Sequence, residues 1–271
     1  MGNTNNAKVI VDYADMVTIA DAIRSRNNST ESMAITEMPA QIGDIGGSGE
    51  NALIKRNFSV YENGTVTTIG DNAFCHFTNL TSVSFPMCTS IGASAFYYCS
   101  NLTTVSFPIC TNIGDGAFYY CSHLTTANFP ACTNISNNAF YRCYSLTTAD
   151  FPACTTIGNN AFSSCTDLVS VNFPVCISMD SYAFRGCGYL PTASFPACNY
   201  IGSSAFHYCS SLATLYLTGS SFCTLAHSNA LFTTSIKSTT GSIFVNASLV
   251  DQYKSAPHWS YFSNVIYAYE G

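Results

Sequence analysis

Charge is what this sequence has least of. Only 9% of its 271 residues are charged, against roughly 25% in an average globular domain, so Ser, Thr and Asn must keep its surface polar. The formal net charge of -6 offers no basic footprint and excludes nucleic acid as a partner. Long apolar runs are missing too: no segment approaches the roughly 18 consecutive apolar residues of a membrane-spanning helix, which excludes insertion of that kind. Residues 1–12 have neither the basic start nor the apolar centre of a secretory signal. Asn6 stands where a myristoylation site needs Ser or Thr after Gly2. The expected place of synthesis is therefore a bacterial cytoplasm.

Catalytic groupings are absent as well. His76, His123, His207, His227 and His258 are scattered, none in a recognisable pairing with a Ser nucleophile or a carboxylate pair. No Gly-rich phosphate loop follows a strand. The sequence reads as that of a protein with no enzymatic activity, no cofactor and no metal.

What is there is a 22-residue unit written seven times between Thr67 and Leu217. Phe recurs at Phe74, Phe96, Phe118, Phe140, Phe162, Phe184 and Phe206, and Leu six residues after each, from Leu80 to Leu212. A fixed period of this size is the signature of a stacked solenoid. Burying four large residues per coil yields about 6–12 kcal/mol, less than the roughly 22–44 kcal/mol that ordering 22 backbones costs. One coil alone cannot fold, and its neighbours must supply the rest.

Direction can be assigned within the unit. Leu102, Val105, Phe107 and Cys110 fit the template L-x-x-L-x-L-x-x-C, whose strand turns alternate residues inward. Ile113-Gly114 reads as a corner, with Gly70, Gly92, Gly114, Gly158 and Gly202 expected to need φ > 0. Ser136 and Asp180 replace the glycine in two coils. Ala117, Phe118 and Cys121 have the spacing of the inner face of one helical turn, which leaves Tyr119 and Tyr120 outside.

Fourteen cysteines invite a disulfide or metal reading. Twelve fall in two columns, Cys88 to Cys198 and Cys99 to Cys209, each with the 22-residue period and in phase with Phe and Leu. Ladders of this kind are small buried hydrophobes rather than a framework of pairs. No C-x-x-C or nearby His supports a zinc or iron-sulfur site. Cys75 and Cys223 lie off the columns and are expected to be more exposed.

Two surfaces remain for binding. The pair of residues after each Ala-Phe forms an outward stripe, with Tyr97, Tyr98, Tyr119, Tyr120, Tyr141, Arg142, Arg185, His207 and Tyr208 as the candidate contacts. Rings with a polar tip give large contact area at small entropy cost, which suits a protein or glycan on a cell surface. The second choice is the outward strand column, Ser106, Asn128, Asp150 and Asn172, which is small and nearly uncharged.

The flanks complete the division. Residues 1–49 read as a small helical leader ending in Gly46-Gly47-Ser48-Gly49, with Met16, Ile19, Ala20 and Ile23 on one face of a first helix. A second helix is capped by Thr36. Residues 50–66 read as a β-hairpin cap around Asn63-Gly64, with strands at 58–61 and 66–69. Residues 67–217 are the solenoid, and 218–271 an irregular last coil and a cap. In that cap Ile243-Phe244-Val245 is a final strand, Ser248 starts a capping box, and Trp259, Tyr261, Phe262, Val265 and Ile266 cover the open core.

The phrase Ile-Gly-x-x-Ala-Phe-x-x-Cys-x-x-Leu resembles the BspA-like leucine-rich repeats of bacteria. The segment from Ile243 to Lys254 with Trp259 is similar to the cap that often follows them. Ile19-Ala20-Asp21-Ala22-Ile23-Arg24 and Met38-Pro39-Ala40-Gln41-Ile42 resemble a helix-turn-helix leader of phage and prophage tail proteins. The resemblances imply an α/β repeat solenoid: a leucine-rich-repeat rod of about seven coils with a parallel strand ladder, a hairpin cap before it and a helix and strand cap after it. They imply adhesion or receptor binding rather than catalysis. The expected setting is a phage tail or virion, with residues 13–45 meeting other virion proteins; the alternatives are a cell-surface or secreted adhesin, or a structural element that self-assembles.

Overall fold

The computed structural model describes residues 60–270 apart from 63, 65, 232–233 and 238–240. The helical leader and its linker lie outside the described residues. Each coil opens with a three-residue strand, as in Ser82–Ser84, Thr104–Ser106 and Thr126–Asn128. Neighbouring strands pair in parallel one repeat apart, with Val83 against Val105. A tight turn over Phe-Pro-x-Cys follows, closed by the Cys88 N–H on the Phe85 carbonyl at 3.1 Å. Proline presets φ at the second position of such a turn.

The second side is a two-residue strand, Asn112–Ile113 in the third coil. Eight of these form one unbroken parallel sheet from Thr68–Ile69 to Thr224–Leu225. The three-residue strands form three sheets instead, parted after Thr104–Ser106 and after Ser170–Asn172. Each break follows a coil whose inward residue, Val105 or Val171, is only partly buried.

The third side corrects the expected helical turn. It is a run of turns, 115–120 in the third coil. Gly116 at φ 60° and Tyr120 at φ 61° are left-handed, which a continuous right-handed helix does not accommodate. Alternate N–H groups therefore point along the rod. Gly116 donates to Asn137 at 2.9 Å, Phe118 to Ala139 at 2.7 Å and Tyr120 to Tyr141 at 2.8 Å. A helix would keep these bonds within itself; here they join one coil to the next.

The corner glycines are also corrected. Positive φ among the described glycines occurs at Gly116 and Gly186, not at Gly92 or Gly114. The corner needs glycine because a Cβ on Gly114 would lie 2.6 Å from the carbonyl carbon of Gly92 in the coil before it. Where Ser136 occupies the corner, its N–H stands 3.1 Å from the carbonyl of the preceding coil, against 2.8 Å for Gly114. Asp180 keeps 2.8 Å, and nothing in the structure explains that tolerance.

Among the described residues the expected N-terminal hairpin does not form. Val60–Glu62 pairs in parallel with Ser82–Ser84, and Thr68–Ile69 with Ser90–Ile91. The Asn-Gly signal was local, whereas the register is set by the repeat: the segment is already one coil, and the Gly64 region stands where later coils have Phe-Pro-x-Cys.

The core is two columns of stacked rings. Phe96 and Phe118 lie 5.1 Å apart at 4°, Phe107 and Phe129 5.7 Å apart at 11°, and the columns meet edge to face, as at Phe107 and Phe118. Such pairs add about 0.5–1.5 kcal/mol each beyond burial. The cysteine columns are buried as expected, and they also donate. Cys121 Sγ–H reaches the Phe96 carbonyl in the coil before at 3.1 Å, and Cys110 Sγ–H reaches the Asn112 carbonyl at 3.2 Å. Of the two outlying thiols Cys75 is half-buried, but Cys223 is fully buried, because it extends the first column with its Sγ 3.9 Å from that of Cys198.

Strands Ser242–Asn246 and Ile266–Tyr269, helix Val250–Ser255 and the 3₁₀ segment Trp259–Val265 close the last coil. Trp259, Phe262, Val265 and Ile266 are buried, whereas Tyr261 is 67% exposed. The capping side chain is not Ser248 but Asn246, whose Oδ1 accepts from the Ser248 N–H at 3.0 Å. The strand ends at Asn246, so its side chain is the one that reaches the first free amide. Among the described residues no helix is long and apolar enough to cross a membrane.

Candidate binding face

The two residues after each Ala-Phe sit at the end of the turn run, the second of them left-handed in all seven coils. Except at Ser163, which is buried, the side chains at these two positions lie at the surface while Ala and Phe stay in the core. Stacking at the coil spacing then aligns them. Tyr97, Tyr119 and Tyr141 form one ladder, with centroids 4.8 Å and 4.9 Å apart. His76, Tyr98 and Tyr120 form the other, at 5.3 Å and 4.4 Å.

Arg142 continues the second ladder, its guanidinium carbon 5.2 Å from the Tyr141 ring centre and 5.8 Å from that of Tyr120. Arg185 lies 5.5 Å from the Tyr208 ring centre, and His207 stands against the same ring at 4.1 Å. The structure thus gathers all nine candidate residues on one edge, in two groups. Between them Ser163, Ser164 and Gly186 interrupt the rings. Ser163 is fully buried and its Oγ has no hydrogen-bond partner among the described residues.

The faces of the stacked rings cover one another, so the ladder presents hydroxyl edges. Partial burial, with the neighbouring phenols, pushes the Tyr97 and Tyr119 hydroxyls above the ordinary tyrosine range. They are protonated donors at neutral pH. Burial and then Arg185 hold the His207 ring below the usual histidine range, so the cationic character of the stripe comes from its arginines.

The strand column is different in kind. Ser106, Asn128 and Asn172 are exposed and Asp150 is half-buried. Asn172 Nδ2 donates to Asp150 Oδ1 at 2.7 Å, which satisfies part of the column within itself. The same column becomes aromatic past the repeats: Ser194 pairs with Tyr216, Tyr216 with Phe244 and Phe244 with Tyr267. Tyr216 and Phe244 stack at 5.1 Å. The 22-residue register could not reveal this patch, because Phe244 and Tyr267 belong to the cap. Tyr144, edge-on to Tyr120 at 5.7 Å, was missed for a related reason: it lies three residues beyond the Tyr141 position.

Among the described residues no group of three or more His, Cys, Asp or Glu is placed to hold a metal ion. A model of the BspA type leucine rich repeat region in six copies matches residues 55–153 and 133–248. The chain belongs to that family. The BspA-type match spans the stripe and ends at Ser248, within the cap. No curated protein matches the sequence.

The chain is also similar to several solved structures. A leucine rich cell surface protein from Faecalibacterium prausnitzii is 20% identical, over 79% of each chain, with a TM-score of 0.39. A leucine-rich repeat protein from Eubacterium ventriosum is 23% identical, over 57% of this chain and 59% of that one, at 0.42. One from Bacteroides ovatus is 17% identical, over 78% and 69%, at 0.36.

Proposed function

We propose that this BspA-type chain is a non-enzymatic adhesion or receptor-binding protein that presents its stripe to a protein or glycan on a cell surface. The observation that supports this most is the placing of cations. Arg142 and Arg185 both lie on the aromatic edge, held over tyrosine rings. A guanidinium fixed over a ring loses less freedom on binding than one free in solvent. Arginine and tyrosine are also the residues that dominate binding energy where partners meet.

Two settings fit such a face. On a cell surface the rod would present the stripe outward. On a phage tail, residues 13–45 would hold it to other virion proteins, the setting that the leader's resemblance favours. Surface proteolysis of intact cells and proteomics of purified particles separate the two.

The binding test uses the purified full chain on immobilised host-surface extract. A variant with Tyr98→Ser, Tyr120→Ser, Arg142→Ser and Arg185→Ser is expected to lose retention, while Ser106→Lys with Asn128→Lys on the strand face keeps it. The reverse pattern would overturn the reading.

A further inference from the structure

The left-handed position two residues past each corner carries Asn72, Ser94, Gly116, Asn138, Asn160, Tyr182 and Ser204. Only the third coil has no side chain there. A groove of about 400 Å³ opens at that point, lined by Ala93, Ser94, Tyr97, Asp115, Gly116, Tyr119 and Asn138. The rings of Tyr97 and Tyr119 border it on the stripe side, and Ser94, Asp115 and Asn138 supply polar atoms around the gap.

We infer that this groove binds a neutral hexose unit of a glycan, an inference that rests on the surface-binding reading and gives its partner a chemical class. Asp115 Oδ1 accepts from Asn138 Nδ2 at 3.3 Å, which sets a carboxylate and an amide side by side. Their remaining oxygens and N–H suit the adjacent hydroxyls of a pyranose, which donate and accept in the same way. The ring edges of Tyr97 and Tyr119 meet its C–H surface, and their protonated hydroxyls add donors. Asp115 is the one charged residue of the lining, so the groove disfavours carboxylated or sulfated sugars. It contains none of the deep apolar pockets in which a protein partner seats its anchors.

Gly116 is the feature that keeps the groove open. A Cβ built there meets Ser94 Oγ and Tyr119 Cβ at 3.7 Å, so a longer side chain would fill the space. Asparagine is the residue other coils use at this φ, and Gly116→Asn closes the groove with a backbone already proven in the fold.

The test is saturation-transfer NMR on the full chain with methyl glycosides of glucose, galactose, mannose and N-acetylglucosamine, and with glucuronic acid as the charged probe. At least one neutral glycoside is expected to bind at a Kd on the order of 1 mM. Gly116→Asn and Asp115→Ala each weaken it by about tenfold or more while melting with the parent, and glucuronic acid binds less well. Absence of transfer to every neutral glycoside, equal binding by Gly116→Asn, or preference for glucuronic acid would overturn the inference. If Gly116→Asn still holds host-surface extract and the stripe variant does not, the groove reading falls and the stripe reading stands.

Discussion

The indole N–H of Trp259 donates to the backbone carbonyl of Cys223 at 2.8 Å, inside the core and across 36 residues of chain. The N–H of the same Cys223 donates to the Tyr253 hydroxyl at 2.8 Å. The cap therefore holds the last coil by both polar groups of one residue, whereas in the repeats the N–H at that cysteine position bonds within its own coil, as Cys198 does to the Phe195 carbonyl at 3.1 Å.

Trp259→Phe keeps most of the apolar volume but leaves that carbonyl without its buried donor. The expected loss is about 1–3 kcal/mol, read from urea midpoints. Amide exchange should accelerate from Cys223 onward and stay unchanged in the coils around Phe118. Uniform acceleration would contradict a cap that opens by itself.

Gly114→Ala forces a Cβ to within 2.6 Å of the Gly92 carbonyl carbon. Overpacking of this order costs about 1–3 kcal/mol. Gly188→Ala meets nothing nearer than Ser210 Oγ at 3.7 Å and should be close to neutral. Thermal melts of the two variants side by side check the contrast.

Tyr182 occupies its left-handed site at φ 62°, where a bulky residue costs about 1–2 kcal/mol. Tyr182→Asn, the residue of Asn138 and Asn160, is expected to raise stability by about 0.5–1 kcal/mol. A lower melting temperature would show that the ring contributes more than the backbone strain removes.

Burial pushes the thiols of Cys110 and Cys154 up to about 12, whereas an unfolded cysteine titrates near 8.5. The folded state thus binds their protons more tightly. The stability they contribute is complete below about pH 8.5 and is lost as pH rises toward about 12. Urea midpoints should fall across that window, less steeply in Cys110→Ala. Iodoacetamide at pH 8 should modify half-buried Cys75 and spare the columns.

Much of this was legible because periodicity reports direction. Phe118 and Leu124 inward, Tyr119 and Tyr120 outward, and the cysteines as packing all follow from position in the unit. Backbone conformation was less legible. The left-handed sites accept Gly116, Asn138 and Tyr182 alike, so residue type did not mark them, while Gly114 looked like a conformational glycine and is a steric one. The Asn63-Gly64 turn misled because a two-strand signal says nothing about a third strand one repeat away. The groove at Gly116 was invisible for a simpler reason: it consists of a side chain that one coil lacks.

The hydrogen bonds of the turn side join each coil to the next by the same three donors, as from Gly116, Phe118 and Tyr120 to Asn137, Ala139 and Tyr141. Every internal junction is therefore interchangeable, and a coil can be gained or lost without asking anything new of Trp259 at the end. Length is a free variable of this architecture. What changes with it is valency: each added coil lengthens the row of hydroxyl tips by one step of about 4.8 Å, so duplication or deletion of one 22-residue unit is a way to retune avidity while the individual contact stays the same.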